Sequence, residues 1–152
     1  TVKRLLAADM RVIVYDPMHK EDKTNQQYET AIWPDQIGEA DFIIINCSLT
    51  DSSYHLLNNS IFAKVKEGVR IVNVGRGPII DENALIDALA SGKVHSAALD
   101  VFEQEPLPLN SPLRQHESCI FGSHNASNTQ SGVLRTSRKS IEKIAYFLNT
   151  AN

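Results

Sequence analysis

Three segments carry apolar residues at consecutive positions rather than at alternate ones: DFIIINCSL (41–49), VRIVNV (69–74) and KVHSAALDV (93–101). A strand with one face in water alternates apolar and polar side chains. A strand that is apolar throughout is covered on both faces. The segments between these runs carry helix signals. NNSIFAKVKEG (58–68) opens on capping residues, sets Ile61, Phe62 and Val65 on one face and stops at a glycine, which predicts a short helix. DENALIDALASG (81–92) offers Asp81 as N-cap, Glu82 in the first turn and Gly92 as the stop, which predicts another. RVIVYD (11–16) and SCIFG (118–122) read as two further short buried strands. Strands alternating with helices imply the α/β class, with a doubly wound parallel sheet covered by helices on both faces.

The remaining segments are weaker. TVKRLLAADM has Val2, Leu5 and Leu6 at helical spacing but no cap, and reads as the second half of a helix. The polar stretch 17–31 reads as a loop, and 102–112 as a proline-bearing loop. The tail, about 128 to 149, sets Leu134, Ile141, Ile144, Ala145 and Leu148 on one helical face with basic residues opposite. The 152 residues suffice for one domain with a core.

Charge narrows the function. Fifteen basic against 18 acidic side chains give a net charge of -3 with no block of like sign. That argues against a nucleic-acid groove or an anionic membrane surface as partner. No apolar run approaches the roughly 18 residues of a membrane span. Cys47 and Cys119 lie beside apolar runs and read as buried thiols of a reducing, cytoplasmic compartment, not as a disulfide or zinc framework.

In a parallel α/β sheet, ligands collect at the carboxyl ends of the strands. The residues predicted there are Asp16, Asn46 to Thr50, Gly75–Arg76–Gly77, Asp100 with Glu103 and Glu105, and Ser123–His124–Asn125. Asp16 suits the ribose hydroxyls of an adenosine, and equally suits a turn before Pro17; His19 and Lys20 nearby leave NADP open. NVGRGPIID (73–81) places Arg76 between two glycines. Such a turn lets the backbone approach a ligand while the guanidinium grips a carboxylate, or it is a surface arginine in a tight turn. His124 is a proton donor near neutral pH or an exposed capping residue. Glu103 and Glu105 are equal candidates for a carboxylate beside it, where it would stabilise the imidazolium. The other histidines (19, 55, 95 and 116) have no comparable setting.

NVGRGPIIDENALIDALASGKVHSAALDVFEQEP, followed by GSHNASNT, resembles the D-isomer-specific 2-hydroxyacid dehydrogenases, from about Asp9 to the end of the chain. The resemblance implies a Rossmann-like NAD-binding domain and hydride exchange between NAD and a small 2-hydroxy or 2-oxo acid, in a homodimer. It implies Arg76 as the substrate-carboxylate ligand, Glu105 rather than Glu103 as the partner of the histidine, and His124 as the acid/base. It also implies cofactor contacts at Asp16, Cys47, Ser48, Val74, Gly75, Arg76, Asp100 and His124. Asn46, Ser48, Gly122 and Ser123 depart from the family's usual residues. The first strand, the glycine-rich phosphate turn and the substrate lobe are not in the sequence, so residues 1–152 are expected to be an NAD-binding fragment with weak binding and little turnover alone. The alternative is a non-catalytic NAD(H)-sensing, corepressor-like protein of the same fold. A methyltransferase-like domain shares the acid after a strand but has no use for Arg76, Glu105 and His124 in that order.

Overall fold

A computed structural model describes residues 1–18 and 27–150. The strands are β1 (Ile13–Val14), β2 (Glu29–Thr30), β3 (Phe42–Ile45), β4 (Val69–Asn73), β5 (Val94–Leu99) and β6 (Cys119–Phe121). The helices are α1 (Val2–Leu6), α2 (Asn59–Phe62), α3 (Glu82–Ala90) and α4 (Gln130–Thr150). Every pairing is parallel. This is the doubly wound α/β architecture expected, although among the described residues the strands form two sheets, β1-β2 and β3-β4-β5-β6.

The larger sheet runs in sequence order. Successive right-handed crossovers between neighbouring parallel strands put their connections on one face, and α2 and α3 are two of those connections. α3 buries Ala84, Leu85, Ala88 and Leu89, a single stripe at helical spacing. Asp81 caps it, accepting from Ala84 N at 3.1 Å. Asn58 caps α2 through Ser60 N and Ile61 N. Together with Leu57, Ile61, Phe62, Val65, Ile79 and Leu113 these helices close over β4, where Val69, Ile71 and Asn73 are each 1 % exposed. Burying one such Leu or Ile contributes about 1.5–3 kcal/mol.

Coverage of the other face differs from expectation. No residue of α1 or α4 is buried. Leu134, Ile141, Ile144 and Leu148 are all more than half exposed. The stripe predicted for the tail exists, but among the described residues no element buries it.

The stretch 17–31 also differs from the loop predicted. It contains β2, which pairs with β1. This strand buries no residue: Glu29 N donates to Val12 O at 2.9 Å and Ala31 N to Val14 O at 3.1 Å, while at the exposed surface the Arg11 guanidinium meets both oxygens of Glu29 at 2.7 and 2.8 Å and reaches Glu39 at 2.5 Å. The cysteine reading is corrected. Cys47 is exposed and Cys119 half-buried, both free, because β3 ends at Ile45 and Cys47 already lies in the following loop. No helix among the described residues is long and apolar enough to cross a membrane.

Register aligns the strand ends. Ile45, Asn73, Leu99 and Phe121 form the last rung of the larger sheet. Cys47, Arg76, Asp100 and His124 follow within three residues of it, so residues far apart in sequence share one edge.

Candidate active site

The turn carrying Arg76 is built by a residue that pattern reading passed over. Asn73 is buried at the end of β4. Its Oδ1 accepts from Gly75 N at 3.0 Å, and its Nδ2 donates to Arg76 O at 3.0 Å. A polar amide closing a buried apolar strand, just before two glycines, is the signal that marked it. Replacing Asn73 by alanine strands the buried Gly75 N–H and leaves Arg76 O with Ile79 N as its remaining partner, and the unfolding free energy is expected to fall by about 1–3 kcal/mol. Urea denaturation at unchanged m-value measures this.

The two glycines are explained by crowding. A Cβ on Gly75 would stand 2.8 Å from Cys47 O, and one on Gly77 would stand 1.9 Å from the Phe102 carbonyl carbon. The loops after β3 and β5 therefore clamp the turn from both sides. The Arg76 side chain is left exposed, its Nη1 donating to Gly75 O at 2.7 Å.

His124 and Glu105 meet across the sheet edge. His124 Nδ1 lies 2.7 Å from Glu105 Oε2, and Glu105 Oε1 accepts from Phe102 N at 3.1 Å. His124 has a left-handed backbone, φ 59, a conformation that surrounding bonds must hold. Asp100 supplies them. Its carbonyl accepts from His124 N at 2.8 Å. Its carboxylate accepts from Asn125 N at 3.1 Å and Ala126 N at 2.8 Å. Gly122 lets that carboxylate in, since a Cβ there would stand 2.2 Å from Asp100 Oδ1. Asp100, expected along the cofactor, is thus bonded to the loop that presents the histidine.

The hydrogen bond to His124 holds the Glu105 carboxyl below its usual value of 4.5, aided by Phe102 N and by the charges of His124 and Arg76; burial opposes. A depressed carboxylate contributes stability in full above its unfolded pKa and loses it as pH falls through the folded one. Wild type is therefore expected to exceed Glu105→Gln in stability above pH about 4.5, and by a shrinking margin as pH falls below it. Urea midpoints compared over that range test this.

Of the other predicted positions, Cys47, Ser48 and Val74 follow the ends of β3 and β4, while Asp16 follows a strand of the smaller sheet. Asp16 follows β1, is exposed, and accepts from Met18 N at 2.9 Å, the bond of a turn former. His19 and Lys20 lie outside the described residues. Ser48 O accepts from Ser53 Oγ at 2.9 Å, and Val74 is 41 % exposed. Glu103 turns to His55 instead of His124, at 2.9 Å. His55 therefore does have a setting of its own, contrary to the reading from sequence, because residues 53–57 fold back over the start of α3.

Residues 1–126 match the family model described as D-isomer specific 2-hydroxyacid dehydrogenase, NAD binding domain. Glyoxylate/hydroxypyruvate reductase B of Enterobacter sp. (strain 638) is 34 % identical over 139 residues, 90 % of this chain and 43 % of that protein. The protein of the same name from Shigella dysenteriae serotype 1 (strain Sd197) is 48 % identical over 91 residues, 60 % of this chain and 28 % of that one. Among solved structures, a glyoxylate reductase from Paecilomyes thermophila superposes with TM-score 0.78 at 31 % identity, over 93 % of this chain and 45 % of that chain. The chain spans less than half the length of each of these relatives.

Proposed function

The chain belongs to the D-isomer specific 2-hydroxyacid dehydrogenases, through their NAD binding domain, and on that footing we propose that it exchanges hydride between NAD(H) and a small D-2-hydroxy acid or its 2-oxo counterpart. The observation that carries the reading is the 2.7 Å bond between His124 Nδ1 and Glu105 Oε2, on the sheet edge that also bears Arg76.

The donor set suits the cofactor. Asp16 offers a carboxylate beyond β1, and Cys47, Ser48, Val74 and Gly75 offer loop backbone and a partly exposed apolar side chain beyond β3 and β4. These residues would hold NAD, which, when bound, supplies or takes up the hydride. Arg76 binds the substrate carboxylate through parallel N–H bonds and stabilises charge on the reacting oxygen. Glu105 fixes the ring of His124 through Nδ1, which leaves Nε2 to face the substrate. In reduction, Nε2 delivers its proton to the oxygen of the former carbonyl; in oxidation it takes the proton back. Glu105 stabilises the imidazolium in between. Asp100 keeps the histidine loop in place. Residues 1–152 serve as the NAD-binding domain, and a lobe outside this chain closes over the substrate, consistent with the share of its relatives that the chain spans.

Relatives named as reductases favour this reading over an NAD(H)-sensing protein without catalysis. The test is oxidation of NADH by the full-length protein, with glyoxylate, hydroxypyruvate and pyruvate as separate arms. Turnover with one of them is the expected result. NADH binding with no turnover in any arm overturns the reading in favour of the sensor.

A further inference from the structure

A second imidazole–carboxylate pair lies behind the first. His55 Nε2 is 2.9 Å from Glu103 Oε1, and His55 Nδ1 is 4.0 Å from Asp81 Oδ2. The His55 ring stacks on Tyr54, with centroids 4.0 Å apart, and its backbone is left-handed at φ 47. As at His124, outside bonds hold that conformation. His55 N donates to Pro78 O at 2.9 Å, Leu57 N to Ile79 O at 3.1 Å, and Asp81 N to Leu57 O at 2.9 Å. Residues 55–57 are thereby zipped to the turn that follows Arg76.

Glu103 closes the other side. Its Oε1 also accepts from Glu82 N at 3.0 Å, while Glu82 Oε2 accepts from Glu103 N at 3.3 Å. This reciprocal clasp ties the 102–105 loop to the first turn of α3. Burial, then the charge of Glu103, pushes the Glu82 carboxyl up. His55 supplies the countering donor. His55, Asp81 and Glu103 bring donor atoms within 4.8 Å of one another. Glu103 Oε1 is already taken by two donors and Asp81 caps α3, so the group is accounted for without a cation.

We propose that the His55–Glu103 pair is a positioning device, which pins the 102–105 loop to α3 and to the Arg76 turn and so sets the orientation of Glu105 against His124. Neither residue need touch substrate. The link is short: Glu103 is two residues from Glu105, and Phe102 N bonds Glu105 Oε1. The kinetic consequence rests on the dehydrogenase reading.

The test uses the full-length protein and Glu103→Ala, with His55→Asn as a second approach, since asparagine tolerates a left-handed backbone. Each is expected to lower kcat about tenfold, as a misaligned catalytic group does, with KM for NADH within about twofold. Glu103→Gln keeps an oxygen for His55 and Glu82 N, and is expected to recover kcat to within about threefold of wild type. The double variant should cost no more than the worse single one, because both remove the same bond. Unchanged kcat in folded Glu103→Ala or His55→Asn overturns the proposal. If the wild type shows no turnover, the dehydrogenase reading falls separately, and the His124 imidazole nitrogen resonances decide: a shift on Glu103→Ala supports positioning, and no shift overturns it.

Discussion

His124→Asn in the full-length protein is expected to reduce kcat for 2-oxo acid reduction by about 10²–10⁴-fold, the usual worth of a positioned acid/base. KM for NADH is expected to stay within about threefold, since the lost interaction belongs to the transition state and not to cofactor binding. Asparagine is the informative replacement. The backbone at position 124 is left-handed, φ 59, and asparagine accepts that region more readily than alanine does. The Asp100 bonds to backbone N–H groups at 124, 125 and 126 survive the change, so the loop keeps its shape while the proton donor is gone. An unchanged thermal midpoint shows that the fold was spared. A drop of less than about tenfold would remove His124 from the role of proton donor.

How legible this site was depends on the range of the interaction. Caps act within a turn, and Asp81 and Asn58 cap the helices their spacing indicated. Continuous apolar runs marked the parallel strands, and parallel pairing brought their ends to one edge. β2 escaped because its support is distant in sequence: backbone bonds to Val12 and Val14 and the ion pair from Arg11, which precedes β1. The choice between Glu103 and Glu105 was beyond composition, as both lie in one EQEP loop; resemblance, not residue chemistry, chose Glu105, and the two acids in fact turn to different histidines. Asn73 was hidden for a related reason. Its work is done on backbone groups two and three residues ahead, inside a turn whose geometry is set by the loops at Cys47 and Phe102. Cys47 misled because the apolar run before it does not show where the strand ends, and β3 stops at Ile45.

Gly77→Ala is expected to be the most damaging single methyl in the chain. Its Cβ would stand 1.9 Å from both the carbonyl carbon and oxygen of Phe102, and 2.6 Å from Glu103 N. These are backbone atoms, so no side-chain rotation relieves the overlap. Relief requires the turn after β4 to separate from the loop after β5. That movement would pull on Phe102, which is 6 % exposed, and on the Glu82–Glu103 clasp. Overpacking of this kind costs about 1–3 kcal/mol even where side chains can yield. With rigid backbone on both sides a loss of more than about 3 kcal/mol is expected, a large part of the roughly 5–15 kcal/mol that holds a typical domain together. Gly92 gives the contrast. It has φ 80, and a methyl added there would meet nothing within 4 Å, so Gly92→Ala meets only the left-handed penalty of about 1–2 kcal/mol. Urea denaturation of the two variants side by side separates the causes. If Gly77→Ala proves no worse than Gly92→Ala, the tight contact between the Arg76 turn and the Phe102 loop is not what fixes this edge. If the contact does fix it, any Gly77→Ala protein that still folds should also lose turnover, because the separation that makes room for the methyl carries Arg76 away from Glu105.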